Sequence, residues 1–223
     1  MLIPSIDLMG GKIVQLVQGK KKALEFDDFE SWIARFSAHP LVQLIDLDAA
    51  MGNGDNRDLI AMFCGRLPCQ TGGGVRSIER AQELIEAGAK RVIFGSALLK
   101  DGAPDVSLAK ECAAKLGTER LTFAIDSRDG KVAIKGWKER TEIDALAMIR
   151  ALDPYCSAFL YTHIDTEGTM SGFPLEVARE LRQATARQLI VAGGIKSMEE
   201  VQRLDEIGAD AVVGMAIYTG AIS

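Results

Sequence analysis

The sequence predicts an α/β fold: a (β/α)8 barrel, the TIM-barrel architecture, built from two duplicated half-barrels with a shortened or absent eighth helix. Three observations predict it. Short apolar runs alternate with longer amphipathic runs along all 223 residues, as in parallel sheets covered by helices. The stretch TGGGVRSIERAQELIEAGAKRVIFGSALL, from Thr71, is nearly repeated as AGGIKSMEEVQRLDEIGADAVVGMAIY, from Ala192. The sequence ends at Ser223, shortly after the last apolar run, which leaves room for at most one turn of an eighth helix.

The elements follow from these runs in order. Eight runs rich in Val, Ile, Leu and Phe are the expected strands: Leu2–Asp7, Val42–Asp46, Cys69–Gly72, Arg91–Gly95, Leu121–Asp126, Ala158–Thr162, Gln188–Ala192 and Ala211–Gly214. Seven amphipathic runs are the expected helices: Asp28–Ala38, Arg57–Cys64, Ser77–Ala87, Pro104–Leu116, Thr141–Leu152, Pro174–Ala184 and Ser197–Ile207. Ser77 and Ser197 are N-caps, and Gly88 and Gly208 are C′ residues. Eight parallel strands joined by right-handed crossovers favour a closed barrel over an open doubly wound sheet.

The composition indicates one large core and excludes several kinds of partner. Hydrophobic residues make up 48% and the net charge is −5, so a nucleic-acid partner is not expected. Lys20–Lys22 is interpreted as a solvated loop. No apolar run reaches transmembrane length, which predicts a cytoplasmic protein without a membrane partner. No metal site is expected, and the cysteines are interpreted as buried thiols: Cys64, Cys69, Cys112 and Cys156. We expect a single domain, 1–223, acting as a monomer.

The internal repeat covers more than the glycine-rich segments. SIDLMGGKI, from Ser5, matches AIDSRDGKV, from Ala124, and LIDLD, from Leu44, matches HIDTE, from His163. We interpret the chain as two half-barrels, about 1–119 and 120–223, each with four β/α units.

Each half carries a candidate phosphate cradle. GGGVRS and GGIKS each follow a strand and open a helix, where glycines allow close approach and unpaired N–H groups attract anions. FGSALL and VGMAIY end the next strands. The alternative is that the glycine pairs are only tight βα turns. The candidate phosphate-binding residues are Gly73, Gly74, Arg76, Gly95 and Ser96 in the first half, and Gly193, Gly194, Gly214 and Met215 in the second.

Two aspartates are the candidate acid and base. Asp7 and Asp126 end the first and fifth strands, which are opposed in an eight-stranded barrel. Different surroundings can keep one carboxyl protonated and the other ionised. The alternative is that each aspartate caps a βα turn.

Other polar residues near the strand ends have weaker assignments. Thr162 is positioned to donate a hydrogen bond to the ligand, whereas His163 should point to the opposite face of its strand and pack there. Trp137 either stacks on a flat heterocycle or belongs to the core. Most of a second acidic set is expected to cap or brace loops. That set is Asp46, Asp48, Asp165 and Glu167.

The ordered motifs resemble a known family along nearly the whole chain. They are IPSIDLMGGKIVQLVQG, LIDLDAA, GGGVRS, AIDSRDGKVAIKGW, HIDTEGTMSG, AGGI and VVGMAIYTG. They are similar to those of the phosphoribosylformimino-5-aminoimidazole carboxamide ribotide isomerases of histidine biosynthesis. The resemblance implies an Amadori rearrangement of an aminoaldose to an aminoketose, without a cofactor, on a substrate with two phosphates.

The resemblance also implies roles for individual residues. Asp7 would be the general base and Asp126 the general acid, with Thr162 assisting by hydrogen bonding. Independently of the resemblance, we predict that Trp137 contacts the substrate, as do three residues of HIDTEGTMSG, namely Asp165, Glu167 and Gly168. The chain departs from the family pattern at three positions, where Gln15, Gln43 and Glu167 stand in place of arginine, histidine and aspartate.

Three other functions stay open. The sister cyclase, imidazole glycerol phosphate synthase, shares the half-barrels but carries a lysine where Gln15 stands. A dual-substrate isomerase would also act on phosphoribosylanthranilate in tryptophan biosynthesis. A non-catalytic sensor of a bisphosphate ligand could dispense with Asp7 and Asp126, and both are present.

Overall fold

A computed structural model describes residues 1–134 and 136–222. Its strands, in chain order, are β1 Leu2–Met9, β2 Lys12–Val17, β3 Lys21–Phe26, β4 Val42–Asp46, β5 Cys69–Gly72, β6 Arg91–Phe94, β7 Leu99–Lys100, β8 Ala103–Pro104, β9 Leu121–Arg128, β10 Lys131–Ile134, β11 Glu139–Asp144, β12 Ala158–His163, β13 Gln188–Ala192 and β14 Ala209–Val213. Its α-helices are α1 Phe29–Phe36, α2 Leu47–Met51, α3 Arg57–Cys64, α4 Ile78–Glu86, α5 Val106–Leu116, α6 Ala145–Leu152, α7 Leu175–Ala184, α8 Met198–Ile207 and α9 Met215–Tyr218. Across the described ranges no helix is both long and apolar enough to cross a membrane.

Eight parallel strands close into a barrel. Around it the order is β1, β4, β5, β6, β9, β12, β13 and β14, and β14 pairs with β1 again. Helices lie between successive strands, so the predicted (β/α)8 barrel is confirmed. Because β9 is four strands from β1 in either direction, the strands that carry Asp7 and Asp126 are diametrically opposed.

Two apolar layers hold the barrel together. Inside it, Ile3, Ile93 and Ile190 form a small cluster with Leu160 and Val212. Outside it, a larger cluster fills the space between strands and helices. Strands buried on both faces explain why the barrel strands are continuous apolar runs in the sequence. All four cysteines are buried and unpaired, as predicted.

The predicted strands and most of the predicted helices are confirmed, within one to three residues at most ends. Ser77 and Ser197 cap α4 and α8 with their hydroxyl groups, and α9 is the short eighth helix. The fifth predicted helix, Thr141–Leu152, is wrong in its first turn, because residues 141–144 belong to β11. Asp144 ends that strand and caps α6 by accepting from two amides.

Two antiparallel hairpins were not predicted. The chain folds back after β1 into β2 and β3, and after β9 into β10 and β11, before the helix of each unit. The basic run Lys20–Lys22 is exposed, as expected, but it lies at the turn and start of β3 rather than in a loop.

The strand pairing corrects one correspondence of the sequence repeat. Asp7 is level with Ile45 on the neighbouring strand, and Asp126 is level with Thr162. Ile45 therefore matches Thr162, and Asp46 matches His163. The proposed match of LIDLD with HIDTE is wrong by two residues, because the recurring Ile-Asp pair occupies different levels of the two strands.

Aromatic packing covers the seam beside the short α9. Tyr218 packs on Trp32 and Phe26, with ring centroids 4.2 and 5.3 Å apart, respectively. Its hydroxyl donates to the Ser5 carbonyl at 3.0 Å, which ties α9 to β1. The Arg35 guanidinium donates to the Ile222 carbonyl at 3.2 Å, so α1 holds the following residues as well.

Candidate active site

Asp7 lies at the carboxyl end of β1, half-buried in the barrel mouth. The Ser5 hydroxyl donates to its Oδ1 at 3.2 Å. Burial raises the pKa of Asp7 to about 6, and the Ser5 hydrogen bond opposes that rise. Asp7 is therefore mostly ionised at neutral pH, yet basic enough to accept a proton.

Asp126 occupies the matching position on β9 with different partners. The Trp137 indole N–H donates to Asp126 Oδ2 at 2.8 Å, and the buried Thr162 side chain lies beside the carboxyl group on the neighbouring strand. Burial raises the pKa of Asp126, whereas Trp137 and Thr162 lower it. The Trp137 ring is half-buried and packs on Gly19 rather than in the core.

Glu167 adds a third carboxyl group to the mouth. It follows the short helical turn after β12. Burial raises the pKa of Glu167 to about 8, and the charges of Asp7 and Asp126 raise it further in the same direction. An effect of both aspartates on one side chain requires all three carboxyls to share the same region. Glu167 therefore holds a proton at neutral pH.

The β2–β3 hairpin lies over this region. The Gln18 amide donates to the Glu167 carbonyl at 3.1 Å. The next residue, Gly168, lies against β2 so closely that a Cβ there would be 2.4 Å from the Leu16 carbonyl oxygen. The first half of the chain thus positions a loop of the second half, next to the predicted substrate contacts Glu167 and Gly168.

The other members of the acidic set brace loops. Buried Asp46 accepts from the Asn56 amide and side chain, each at 2.8 Å. Asp48 accepts from the Gly10 amide at 2.7 Å, and Asp165 accepts from the Asp129 amide at 3.2 Å. Gly10 and Asp129 are matching positions after β1 and β9, so both halves brace the same loop in the same way. The assignment of Asp165 as a substrate contact stays a prediction.

The glycine pairs have a packing role at the strand ends. A Cβ at Gly73 would lie 2.1 Å from the Asp46 carbonyl oxygen, and one at Gly193 would lie 2.4 Å from the His163 carbonyl oxygen. Both residues, like Gly74 and Gly194, have positive φ. These close approaches account for the tight βα turn. They leave the phosphate role of the four glycines as a prediction.

The second part of each cradle is a short helical turn. Gly95 precedes the turn Ser96–Leu98, and Gly214 precedes α9, which begins at Met215. Both turns begin at the carboxyl ends of their strands, the same end at which Asp7 and Asp126 lie. Arg76 donates to the Ala50 carbonyl at 2.9 Å and is exposed, and its phosphate role stays a prediction.

The departures from the family pattern are all inside the barrel or at its mouth. Gln15 is buried beside Gly214, where an added Cβ would be 2.5 Å from the Gln15 Oε1 atom. Gln43 accepts from the buried Gln70 side chain at 3.1 Å, below the carboxyl groups. Both glutamines supply neutral polar groups.

His163 packs on the outer face of β12, as predicted. Its ring contacts Phe173 with centroids 5.9 Å apart, and burial lowers its pKa. Its Nδ1 atom is buried, and no partner for it occurs among the described residues.

The sequence did not predict the role of one residue of the site, Ser5, and predicted that of another, Glu167, only in part. Ser5 reads as an ordinary strand residue, although its position two residues before Asp7 puts it on the same face. Glu167 was expected to be one contact among several, and only the folded chain brings it near both aspartates.

The sequence is similar to those of known proteins. The family model described as Histidine biosynthesis protein matches residues 1–223. A protein of Methanocaldococcus jannaschii, named 1-(5-phosphoribosyl)-5-((5-phosphoribosylamino)methylideneamino) imidazole-4-carboxamide isomerase, is 35% identical over 99% of this chain and 94% of its own length. Proteins of the same name from Methanothrix thermoacetophila and Thermus thermophilus are each 36% identical, over 100% and 99% of this chain and 94% and 95% of their own lengths. The chain therefore belongs to the histidine biosynthesis protein family.

Proposed function

We propose that this protein is an aldose–ketose isomerase that performs the Amadori rearrangement of phosphoribosylformimino-5-aminoimidazole carboxamide ribotide. One observation carries the proposal: carboxyl groups with different partners stand on opposed strands of one barrel mouth, Asp7 with Ser5 and Asp126 with Trp137 and Thr162. The names of the relatives support the same reaction. We further propose that a single barrel domain acts as a monomer in the cytoplasm.

The proposed reaction begins with a proton on the furanose ring oxygen. The ring C–O bond then breaks, and the amino nitrogen supplies the electron pair that forms a Schiff base. Asp7 removes the C2 proton to give an enolamine, which becomes the ketose when C1 gains a proton and the 2-hydroxyl group releases its own. A pKa of about 6 suits Asp7 to this role, because a base near the working pH is both ionised and effective.

Two carboxyl groups are candidates for the acid. Asp126 is the residue that the family resemblance implies, and burial raises its pKa. However, the Trp137 hydrogen bond and the neighbouring Thr162 side chain favour the ionised form. Glu167, with a pKa of about 8, already carries a proton at neutral pH. Comparison of Asp126→Asn with Glu167→Gln decides between them, because the acid is the residue whose replacement slows ring opening.

The two phosphates would be held at opposite sides of the mouth. Amide groups of the turns that begin at Ser96 and Met215 are the proposed donors, together with the glycine pairs of each half. Anchoring at both ends would fix the sugar between the carboxyl groups. This positioning would contribute to the rate, because it holds the reacting atoms beside the acid and the base.

Purified protein incubated with the ribotide tests the proposal. We expect turnover without added cofactor, and about a thousandfold loss or more for Asp7→Asn with its fold retained. A parallel assay on phosphoribosylanthranilate measures substrate breadth. Wild-type activity in Asp7→Asn would remove that residue from the mechanism, and no turnover of either substrate by the wild type would refute the function.

A further inference from the structure

The hydroxyl groups beside the two opposed aspartates come from different places in the two halves. Asp126 is level with Thr162 on the neighbouring strand, and the Thr162 side chain lowers its pKa. Asp7 is level with Ile45, which has no polar group. Its hydroxyl donor is Ser5, two residues earlier on its own strand, where the second half has Ala124.

We propose that Ser5 is a positioning residue for the base. Its hydroxyl group orients the Asp7 carboxylate, as the Thr162 hydroxyl group orients the Asp126 carboxyl. The inference rests on the proposed role of Asp7. The Ser5 hydroxyl donates to Oδ1, so that oxygen is occupied and the carboxylate is held in one rotamer. Oδ2 accepts no hydrogen bond from the residues that the structure describes, and it is the oxygen left to take the C2 proton.

Ser5 is itself held in place. It is buried, and its carbonyl oxygen accepts the Tyr218 hydroxyl at 3.0 Å. Strand β1 is further fixed by pairing with β4 and β14. A donor on a central barrel strand moves little, which is what orienting a carboxylate requires.

Among residues 1–134 and 136–222, three other titratable groups are linked to Asp7. Glu167 faces it from the loop after β12, and Asp126 acts on the same Glu167 from β9. Tyr218 faces it from α9 and stays protonated, because burial raises its pKa well above the ordinary value. A change at Ser5 leaves all three in place.

The test is the pH profile of kcat/KM for Ser5→Ala and Ser5→Cys. Loss of a donor to the ionised carboxylate should move the acid limb up by about half to one pH unit. Cysteine fills the same space but is a weak donor, so it should move the limb as alanine does. Substrate phosphates also titrate near pH 6, so the quantity of interest is the difference between variants on the same substrate.

Ser127→Ala is the matched control. Ser127 is a buried serine directly after Asp126, with its side chain on the outer face of β9, so its acid limb should coincide with that of the wild type. Carboxyl-carbon NMR titration of Asp7 in the free protein should give the same upward shift for Ser5→Ala.

The outcomes separate the two proposals. If Asp7→Asn is inactive and the acid limbs of Ser5→Ala and wild type coincide, Asp7 remains the base and Ser5 does not position it. If the acid limb moves in Ser5→Ala but not in Ser5→Cys, the effect comes from packing and the positioning role is refuted. If Asp7→Asn stays active, the role of Asp7 itself fails.

Discussion

Glu167→Gln should stabilise the protein in a pH-dependent way. In the folded protein the pKa of Glu167 is raised from 4.5 to about 8. Between these values the unfolded chain is ionised while the folded chain keeps the proton, so folding takes up a proton. Stability that is fully present below the unfolded pKa is therefore lost as the pH rises toward the folded pKa.

The size of the effect follows from the same shift. At pH 7 the upper limit is about 3 kcal/mol, because each pH unit above the unfolded pKa contributes about 1.4 kcal/mol. Glu167 is only half-buried, and water at the mouth reduces this figure. We expect Glu167→Gln to raise the free energy of unfolding by about 1–2 kcal/mol at neutral pH.

Urea denaturation at about pH 5 and about pH 8 measures this change in the free energy of unfolding. The advantage of Glu167→Gln over wild type should be small at the lower pH and largest at the higher. Glu176→Gln is the matched control, since that side chain is 82% exposed on α7. An equal advantage at both pH values would refute the reasoning, because a gain independent of pH cannot come from a titrating carboxyl.

Two further predictions concern the frame around the site. Gly73→Ala should lower the free energy of unfolding by at least about 2 kcal/mol, because its Cβ would overlap a carbonyl oxygen at a positive φ. Gly10→Ala also has a positive φ but no neighbouring atom, so a loss of about 1 kcal/mol is expected there. Equal losses in urea denaturation would contradict the packing role. Tyr218→Phe keeps the aromatic cluster but loses the hydrogen bond to Ser5, so thermal unfolding should show a loss of about 1 kcal/mol, and an unchanged Tm would contradict it.

The barrel was predictable because its strands have a local signature. Strands covered on both faces are continuous apolar runs, and Ser77 and Ser197 mark two of the helix starts. The hairpins lack such a signature. Residues 21–26 are mostly exposed or half-exposed and include the lysine run, so the segment resembles a loop although it pairs with β2.

The polar site was predictable only in part. Asp7 and Asp126 stand out because they end apolar runs at matching positions. The properties of Glu167 depend on two charges that are distant in sequence, and no local pattern reports them. The match of LIDLD with HIDTE failed for a related reason. The same Ile-Asp pair occurs in both segments, but at different register positions of the two strands, and only the strand pairing shows this.

A symmetric frame raises the question of how two matched carboxyls come to do different work. The strand pairing provides an answer, because it shows which single residues differ between matching positions of the two halves. Ser5 corresponds to Ala124, and Ile45 corresponds to Thr162. The hydroxyl group beside Asp7 therefore comes from its own strand, whereas the one beside Asp126 comes from the neighbouring strand. By the same pairing Glu167 corresponds to Ala50, so only the second half contributes the third carboxyl. Acid and base require unequal environments, and these few side chains create them without altering the shared backbone. Glu167→Gln removes the third carboxyl group and so makes the environments of the two aspartates more alike. It should therefore reduce catalysis even as it stabilises the fold.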